Sequence, residues 1–138
     1  MAFAYFEQAL YVVGGHDAVA ATPDSWRYLL NENRWEHLSP TGESPAAAHF
    51  AYTADTACGV LWMFGGDNVD YRDVGFMSGL SLTRNAFINF SSSNNPPPRR
   101  HATLNFDAAS SSLFIVGGWQ GVSSILSDSW KILRRGCP

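Results

Sequence analysis

Charged side chains are scarce in this sequence, and no apolar run is long enough to cross a membrane. Asp, Glu, Lys and Arg make up 15% of the 138 residues, and the formal net charge is −3. A nucleic-acid-binding protein needs a basic surface, so this charge balance argues against nucleic acid as a partner. A membrane span needs roughly 18 to 20 consecutive apolar residues, and no stretch of the sequence approaches that length. We therefore expect neither a nucleic-acid nor a membrane partner.

Cysteine is also rare. The two cysteines are Cys58, within the turn-like stretch 55–59, and Cys137, the penultimate residue. Two cysteines in a chain of this length do not make a disulfide framework. Their dissimilar settings favour free thiols with no special role.

A secretory signal pattern is missing as well. Residues 1–15 are apolar, but they lack a basic first region and carry Glu7 where the apolar core of a signal peptide belongs. We interpret them as part of the folded structure. Without a signal peptide or a spanning run, the sequence slightly favours a cytoplasmic location.

Motifs for catalysis and for metal or cofactor binding are absent too. There is no nucleophile elbow, no phosphate-binding loop and no zinc motif. Asp67, Asp70 and Asp73 are spaced like the start of a calcium loop, but Arg72 and Ser78 occupy the places of its glycine and glutamate. We expect no metal, no cofactor and no catalytic residue.

What the sequence does contain is a double glycine that follows an apolar run at three places. The glycine pairs stand 51 and 52 residues apart, and a period near fifty indicates repeated β-sheet units. The apolar runs do not alternate, so we expect strands covered on both faces. Glycine ends them because it tolerates positive φ and the close approach of another backbone. The pairs are Gly14 and Gly15, Gly65 and Gly66, and Gly117 and Gly118.

Further strands align with the glycine pairs. Residues 49–55 and 101–107 alternate with period two, which is typical of a half-exposed strand. Trp26 and Trp130 each begin another strand, in which we expect the tryptophan to face inward and the basic residue after it to face outward. A last strand is predicted at 33–38 and again, 52 residues later, at 85–90.

This combination resembles the kelch repeat of β-propellers. It consists of the double glycine, a Trp about a dozen residues later, a second aromatic residue nine residues on, and Pro and His before the next strand. The resemblance covers essentially the whole chain, lies within the galactose-oxidase-like propeller superfamily, and implies blades of four antiparallel strands around an axis. Besides the glycines, its structural positions are Trp26, Trp35, Trp130, His49 and His101.

The predicted fold is therefore all-β, with kelch-type blades in an incomplete ring. Repeat 1 runs from about 1 to 44 and is truncated at its start, repeat 2 from about 45 to 96, and repeat 3 from about 97 to 138, without its last strand. A propeller ring typically has four to eight blades. We expect a fragment of a larger propeller or, if the chain is complete, self-association that closes the ring.

The second repeat departs from the pattern. Ser78 stands at the tryptophan position, and Ala47 stands where the third repeat has Arg99. We expect this blade to pack less well than the others, or the loop at 67–77 to be remodelled.

Antiparallel order predicts that the long loops after the glycine pairs and the connections between repeats share one rim. Loops on a rigid scaffold often carry binding residues, and Tyr, Trp and Arg are enriched at interface hot spots. Kelch propellers commonly bind protein partners at such a rim. The resemblance thus implies a non-catalytic protein-interaction module, a scaffold or adaptor with a protein partner. The predicted contact residues are Asp70, Tyr71, Arg72, Arg99, Arg100 and Trp119.

The alternative is a fragment of a galactose-oxidase-like or other sugar-active propeller enzyme. That class needs a Cys–Tyr cross-link beside copper ligands, whereas Cys58 is expected on the edge opposite Tyr71. His49 and His101 are equivalent, but a metal site needs at least a third convergent ligand. Asn89-Phe90-Ser91 is a glycosylation sequon, which has meaning only if the chain is secreted.

Overall fold

The computed structural model of the protein describes residues 1–19, 21–45, 48–68, 70–90, 94–134 and 136–138. Within these ranges every regular element is a β-strand, which confirms the predicted all-β class. Among the same residues, no helix is long and apolar enough to cross a membrane. The strands are β1 Ala2–Phe6, β2 Ala9–Val13, β3 Ser25–Leu29, β4 Arg34–Leu38, β5 Ala51–Asp55, β6 Val60–Phe64, β7 Met77–Ser81, β8 Ala86–Phe90, β9 Thr103–Asp107, β10 Ser112–Val116, β11 Trp119–Gln120, β12 Ser124–Ile125 and β13 Ser129–Leu133.

The strands form three antiparallel sheets and one short hairpin. Sheet 1 has the order β1-β2-β3-β4, sheet 2 the order β5-β6-β7-β8, and sheet 3 the order β9-β10-β13, while β11 and β12 pair with each other. No sheet closes on itself within the described residues. Each strand expected from the repeat is present, and the hairpin was not expected. Residues 1–15 contribute β1 and β2, so their interpretation as part of the folded structure is confirmed.

Sheet 2 is the central layer of the molecule. Leu61 and Met63 belong to the apolar cluster shared with sheet 1, and Trp62 and Phe64 belong to the cluster shared with sheet 3. All five residues of β6 are buried, as expected for an apolar strand without alternation. Burial of side chains on both faces of one sheet therefore joins the three sheets.

The second repeat is not less buried than the other two. Strand β7 is buried throughout, although Ser78 replaces the tryptophan of the other repeats. Sheets 1 and 3 cover the two faces of sheet 2, so its burial follows from its position between them. Gly79 also makes room, since a Cβ there would lie 3.3 Å from the ring of Trp62. Ala47 lies outside the described residues.

The double glycines behave as the sequence predicts. Gly65 has φ +70°, and a Cβ at this position would lie 2.2 Å from the carbonyl oxygen of Arg99. Gly66 donates its backbone N–H to the same oxygen at 2.8 Å. A side chain at Gly65 would thus separate the end of sheet 2 from the connection that leads into sheet 3.

The expected inward orientation of the strand tryptophans is wrong for sheet 1. Trp26 is 40% exposed, whereas Arg27 lies on the face toward sheet 2 and donates from Nε to Glu36 at 2.5 Å. Trp130, the equivalent residue of sheet 3, is half-buried against the cluster shared with sheet 2. Each tryptophan lies on the face of its sheet that is directed toward the preceding sheet. For Trp130 that neighbour is sheet 2, whereas no sheet of the described residues precedes sheet 1, so Trp26 stays exposed.

The interpretation of the cysteines as free thiols is also wrong. Cys58 and Cys137 form a disulfide with their Cα atoms 5.4 Å apart, within the usual range. The bond ties the turn between β5 and β6 to the segment after β13. Beside it, the Arg134 Nε lies 3.1 Å from Oδ2 of the buried Asp55. Because 79 residues separate the cysteines, no local pattern indicates their pairing.

Candidate interaction surface

Loops from all three sheets meet at one edge of the molecule, which we call the rim. It comprises the connections after β2, β6 and β10, with residues 48–50 and 99–102, which precede β5 and β9. Isolated backbone pairings join Ala48 to Asp67 and Arg100 to Trp119. The loops that antiparallel order predicted to share an edge do lie together.

A polar network braces the rim from beneath. The carboxylate of Asp67 is buried, and its Oδ1 lies 2.8 Å from Nδ1 of His49. Arg100 donates to Oδ2 of Asp67 at 3.3 Å, and its Nε lies 3.4 Å from Oδ1 of Asp73. Arg100 also donates to the Gly121 carbonyl at 2.8 Å, and the Gly121 N–H donates to Asp73. One guanidinium therefore links the loops of sheets 2 and 3.

Three imidazoles lie near one another on the rim. The ring centroids of His16 and His49 are 6.5 Å apart, and those of His49 and His101 are 4.8 Å apart. His49 and His101 share a left-handed backbone, with φ of 55° and 53°, and the N–H of His101 donates to the carbonyl of His49 at 2.9 Å. Their equivalence in the sequence thus corresponds to an equivalent backbone conformation.

Tyr71 is held in an uncommon backbone conformation at the top of the rim. It has φ +59°, and its side chain is 60% exposed. Asn68 supports this loop, since its side-chain oxygen accepts the N–H groups of Asp70 and Arg72 at 3.0 Å each. A non-glycine residue at positive φ is uncommon and clusters at functional positions. The loop therefore presents Tyr71 in a defined position.

The β11–β12 hairpin adds apolar side chains to the rim, of which Trp119 was predicted from the sequence and Val122 and Ile125 were not. Trp119 is 45% exposed, Val122 89% and Ile125 74%. Strand β11 is anchored, because Trp119 and Arg100 exchange backbone hydrogen bonds of 2.8 and 2.9 Å. Apolar residues inside a predicted loop were the available signal for Val122 and Ile125.

Arg99 does not lie on the surface, so its prediction as a contact residue is wrong. Its side chain is fully buried and forms a bidentate ion pair with Asp128, at 2.6 and 2.9 Å. It also donates to the Gly117 carbonyl at 2.9 Å. Arg99 and a bond from the Trp130 indole hold the pKa of the Asp128 carboxyl well below its usual range. Arg99 is a structural residue of sheet 3.

The other predicted contact residues are placed at the rim. Asp70, Tyr71, Arg72 and Trp119 are exposed, while Arg100 is mostly enclosed in the network beneath them. The surface that a partner could touch thus carries exposed aromatic and aliphatic groups together with one acidic and one basic side chain.

Metal binding and the copper-enzyme constellation are not supported by this geometry. Among the described residues, no group of three or more His, Cys, Asp or Glu side chains is arranged to hold a metal ion. Cys58 is bonded to Cys137 and not to a tyrosine.

A separate groove of about 550 Å³ opens between sheets 2 and 3. Trp62, Met77 and Phe90 line one side, and Leu113 and Ile132 line the other. The ring centroids of Trp62 and Phe90 are 5.0 Å apart. The groove is mostly apolar and lies outside the rim as defined here.

No family model matches the chain, and no curated protein matches it.

Proposed function

We propose that this protein is a non-catalytic interaction module of the kelch propeller type, and that its rim binds a protein partner. The observation that carries the proposal is the group of exposed apolar side chains on the rim, formed by Tyr71, Trp119, Val122 and Ile125. Exposed apolar patches commonly mark interaction sites, and Tyr and Trp are the residues most enriched at hot spots.

The bracing beneath the patch supports this proposal. Asp67, Asp73 and Arg100 fix the two loops that carry Tyr71 and Trp119. A surface that is ordered before binding loses less conformational entropy when a partner docks. Such a rim suits a partner with an apolar centre surrounded by polar groups, because interface cores are apolar and their margins are polar.

Site-specific photocrosslinking tests where the partner binds. A photoreactive residue replaces Val122 on the rim, and a matched control replaces Ala109, an exposed residue of the turn between β9 and β10 at the opposite edge. We expect a partner in the native source to crosslink from position 122 and not from 109. Equal crosslinking from both positions would contradict the proposal.

The identified partner then allows an affinity measurement. Tyr71→Ala combined with Trp119→Ala should weaken binding about a thousandfold, since hot-spot truncations cost about 2 kcal/mol or more each and about 1.4 kcal/mol corresponds to a tenfold change in affinity. The melting temperature should stay close to that of the unchanged protein, because both side chains are exposed. Unchanged affinity would refute the proposal that the rim binds the partner.

We further propose that a second copy covers the outer face of sheet 1. Leu10 is exposed there, whereas its equivalents Leu61 and Leu113 are buried against the preceding sheet. Phe114 and Val116 of sheet 3 are equivalent in the repeat to Trp62 and Phe64 of sheet 2. In sheet 2 these two positions pack against the next sheet, sheet 3. Sheet 3 of one copy can therefore pack on sheet 1 of another, in a head-to-tail contact of the kind that closes rings.

Sedimentation equilibrium tests this contact. We expect a species larger than the 15.1 kDa chain, reduced to the single chain by Leu10→Asp on sheet 1 or Val116→Asp on sheet 3. Val19→Asp, a change at an exposed loop residue away from both faces, is the control. A monodisperse, cooperatively folded single chain would refute self-association and leave the rim proposal intact.

A further inference from the structure

Both cysteines of the chain are used in one long-range disulfide. Cys58 and Cys137 come from different parts of the fold and meet beside the ion pair of Arg134 and Asp55. Lasting disulfides form in oxidising compartments and are rare in the cytosol. The structure thus argues against the cytoplasmic location that the sequence slightly favours, and for a protein that folds in the secretory route.

That conclusion gives meaning to Asn89-Phe90-Ser91. The triplet has the form Asn-X-Ser with X other than proline, and no other Asn in the sequence stands two residues before Ser or Thr in this form. In the oxidising compartment where disulfides form, such a triplet is an acceptor for N-linked glycan.

The placement of Asn89 suits a bulky modification. The residue is exposed near the end of β8, the outermost strand of sheet 2. Its Nδ2 donates to the carbonyl of Glu43 at 3.2 Å. A side-chain amide has two N–H groups, so replacement of one hydrogen by a sugar leaves the other to make this bond. Asn89 is not one of the rim residues.

We propose that Asn89 carries an N-linked glycan. In the transfer, Nδ2 attacks the anomeric carbon of a pyrophosphate-linked lipid oligosaccharide. The new C–N bond forms as the bond between that carbon and the pyrophosphate oxygen breaks. The amide nitrogen loses one proton to the solvent, and the lipid pyrophosphate leaves with the bonding electron pair. No oxidation or reduction is involved.

A glycan at this position also protects the sheet. Edge strands invite pairing with other chains, and a bulky hydrophilic group on such a strand blocks that pairing. The segment at Thr41 already covers the first half of β8, through backbone hydrogen bonds to Asn85 and Phe87 of 3.0 and 2.8 Å. The glycan would cover the second half.

Peptide mapping of the native protein tests the proposal directly. Enzymatic removal of N-glycans in heavy-oxygen water converts a glycosylated Asn to a labelled Asp, and we expect this label at Asn89. Without reduction, Cys58 and Cys137 should be recovered in one cross-linked peptide pair. Recovery of Asn89 without modification would overturn the proposal, and alkylation of both thiols without reduction would overturn the assigned compartment.

Variants secreted from a eukaryotic host provide the second test. The unchanged protein should lose mass on glycan removal, whereas Asn89→Gln and Ser91→Ala should show no such loss. Ser91→Thr retains the triplet and should restore the glycan, and Asn105→Gln, at an exposed strand position outside any sequon, should not alter it. A glycan that persists in Ser91→Ala would refute attachment at Asn89.

Discussion

Arg99 is fully enclosed in the protein, and its guanidinium meets the carboxylate of Asp128 through two parallel hydrogen bonds of 2.6 and 2.9 Å. The same guanidinium group donates from Nε to the Pro97 carbonyl at 3.1 Å. The indole of Trp130 donates to Asp128 at 2.7 Å. This pair fastens the connection that enters sheet 3 to the segment that begins its last strand.

Asp128→Asn should lower the free energy of unfolding by about 2 kcal/mol. The change leaves the buried charge of Arg99 without a carboxylate. Breaking a fully buried pair costs about 3 to 5 kcal/mol, but Asp128 is partly exposed, so solvent screens part of the loss. Urea unfolding measures the effect. Asp24→Asn, at the equivalent and more exposed position of sheet 1, should cost under about 0.5 kcal/mol. Equal losses at both positions would refute a special role of the pair.

The same pair predicts part of the acid sensitivity. Arg99 lowers the pKa of the Asp128 carboxyl in the folded state. A carboxyl whose folded pKa is lowered adds stability that is fully present above its unfolded pKa, about 3.9, and is lost as the pH falls toward the folded value. Stability should therefore decline below about pH 4, and less steeply in Asp128→Asn. Parallel declines in the two proteins, measured by urea unfolding at several pH values, would exclude this contribution.

Loss of the disulfide should destabilise the fold. Its loop of about 80 residues restricts the unfolded chain, and removal of such a native bond costs about 2 to 5 kcal/mol. Cys58→Ser with Cys137→Ser should unfold at lower urea, and a reductant should shift the unchanged protein by a similar amount. The double variant is the control, since reductant should leave its transition in place. If reductant does not shift the urea unfolding of the unchanged protein, the disulfide is contradicted.

Gly65→Ala and Gly121→Ala separate steric clash from backbone strain. Both glycines have positive φ, +70° and +63°, but a Cβ meets the Arg99 oxygen at 2.2 Å only at Gly65, and it meets nothing within 4 Å at Gly121. The left-handed conformation alone costs about 1 to 2 kcal/mol. We expect that cost at Gly121 and a markedly larger one at Gly65, read from thermal unfolding. Similar costs at the two positions would mean that sheet 3 can move away from Gly65.

Trp130→Ala and Trp26→Ala compare the two equivalent tryptophans. Truncation of a fully buried Trp to Ala lowers the free energy of unfolding by about 3 to 5 kcal/mol. Because Trp130 is half-buried, we expect Trp130→Ala to lower it by about 2 to 3 kcal/mol. Trp26→Ala should cost less in the dilute single chain, because Trp26 is more exposed. The comparison is made by denaturant unfolding at a protein concentration too low for self-association. A larger loss of unfolding free energy for Trp26→Ala than for Trp130→Ala would contradict the assignment of Trp26 to an exposed face.

The strands were readily predicted from the sequence because their signals are local. An apolar run that ends in Gly65 and Gly66 indicates a covered strand and the place where it stops, and β6 ends at Phe64. The sequence also predicted that these loops share one edge. Successive antiparallel strands run in opposite directions, so every second connection lies at the same end of the sheet. The positions of Tyr71 and Trp119 at this edge were predicted in this way.

Burial of individual side chains did not follow from these patterns. Arg99 and Arg100 are adjacent basic residues of a loop, yet one is enclosed by Asp128 and the other bridges Asp67 and Asp73. Their partners lie 27 to 33 residues away, so only the folded chain distinguishes the two.

Two kinds of information therefore determine this protein. The sequence by itself determined the strands of the three repeats and the turns that end them, because period-two alternation, apolar runs and glycine act between neighbouring residues. Only the tertiary structure decided that Trp26 is exposed while Trp130 is half-buried, and that Cys58 reaches Cys137. Those outcomes depend on which sheet lies beside which, and contacts between residues distant in the chain leave no local pattern to read.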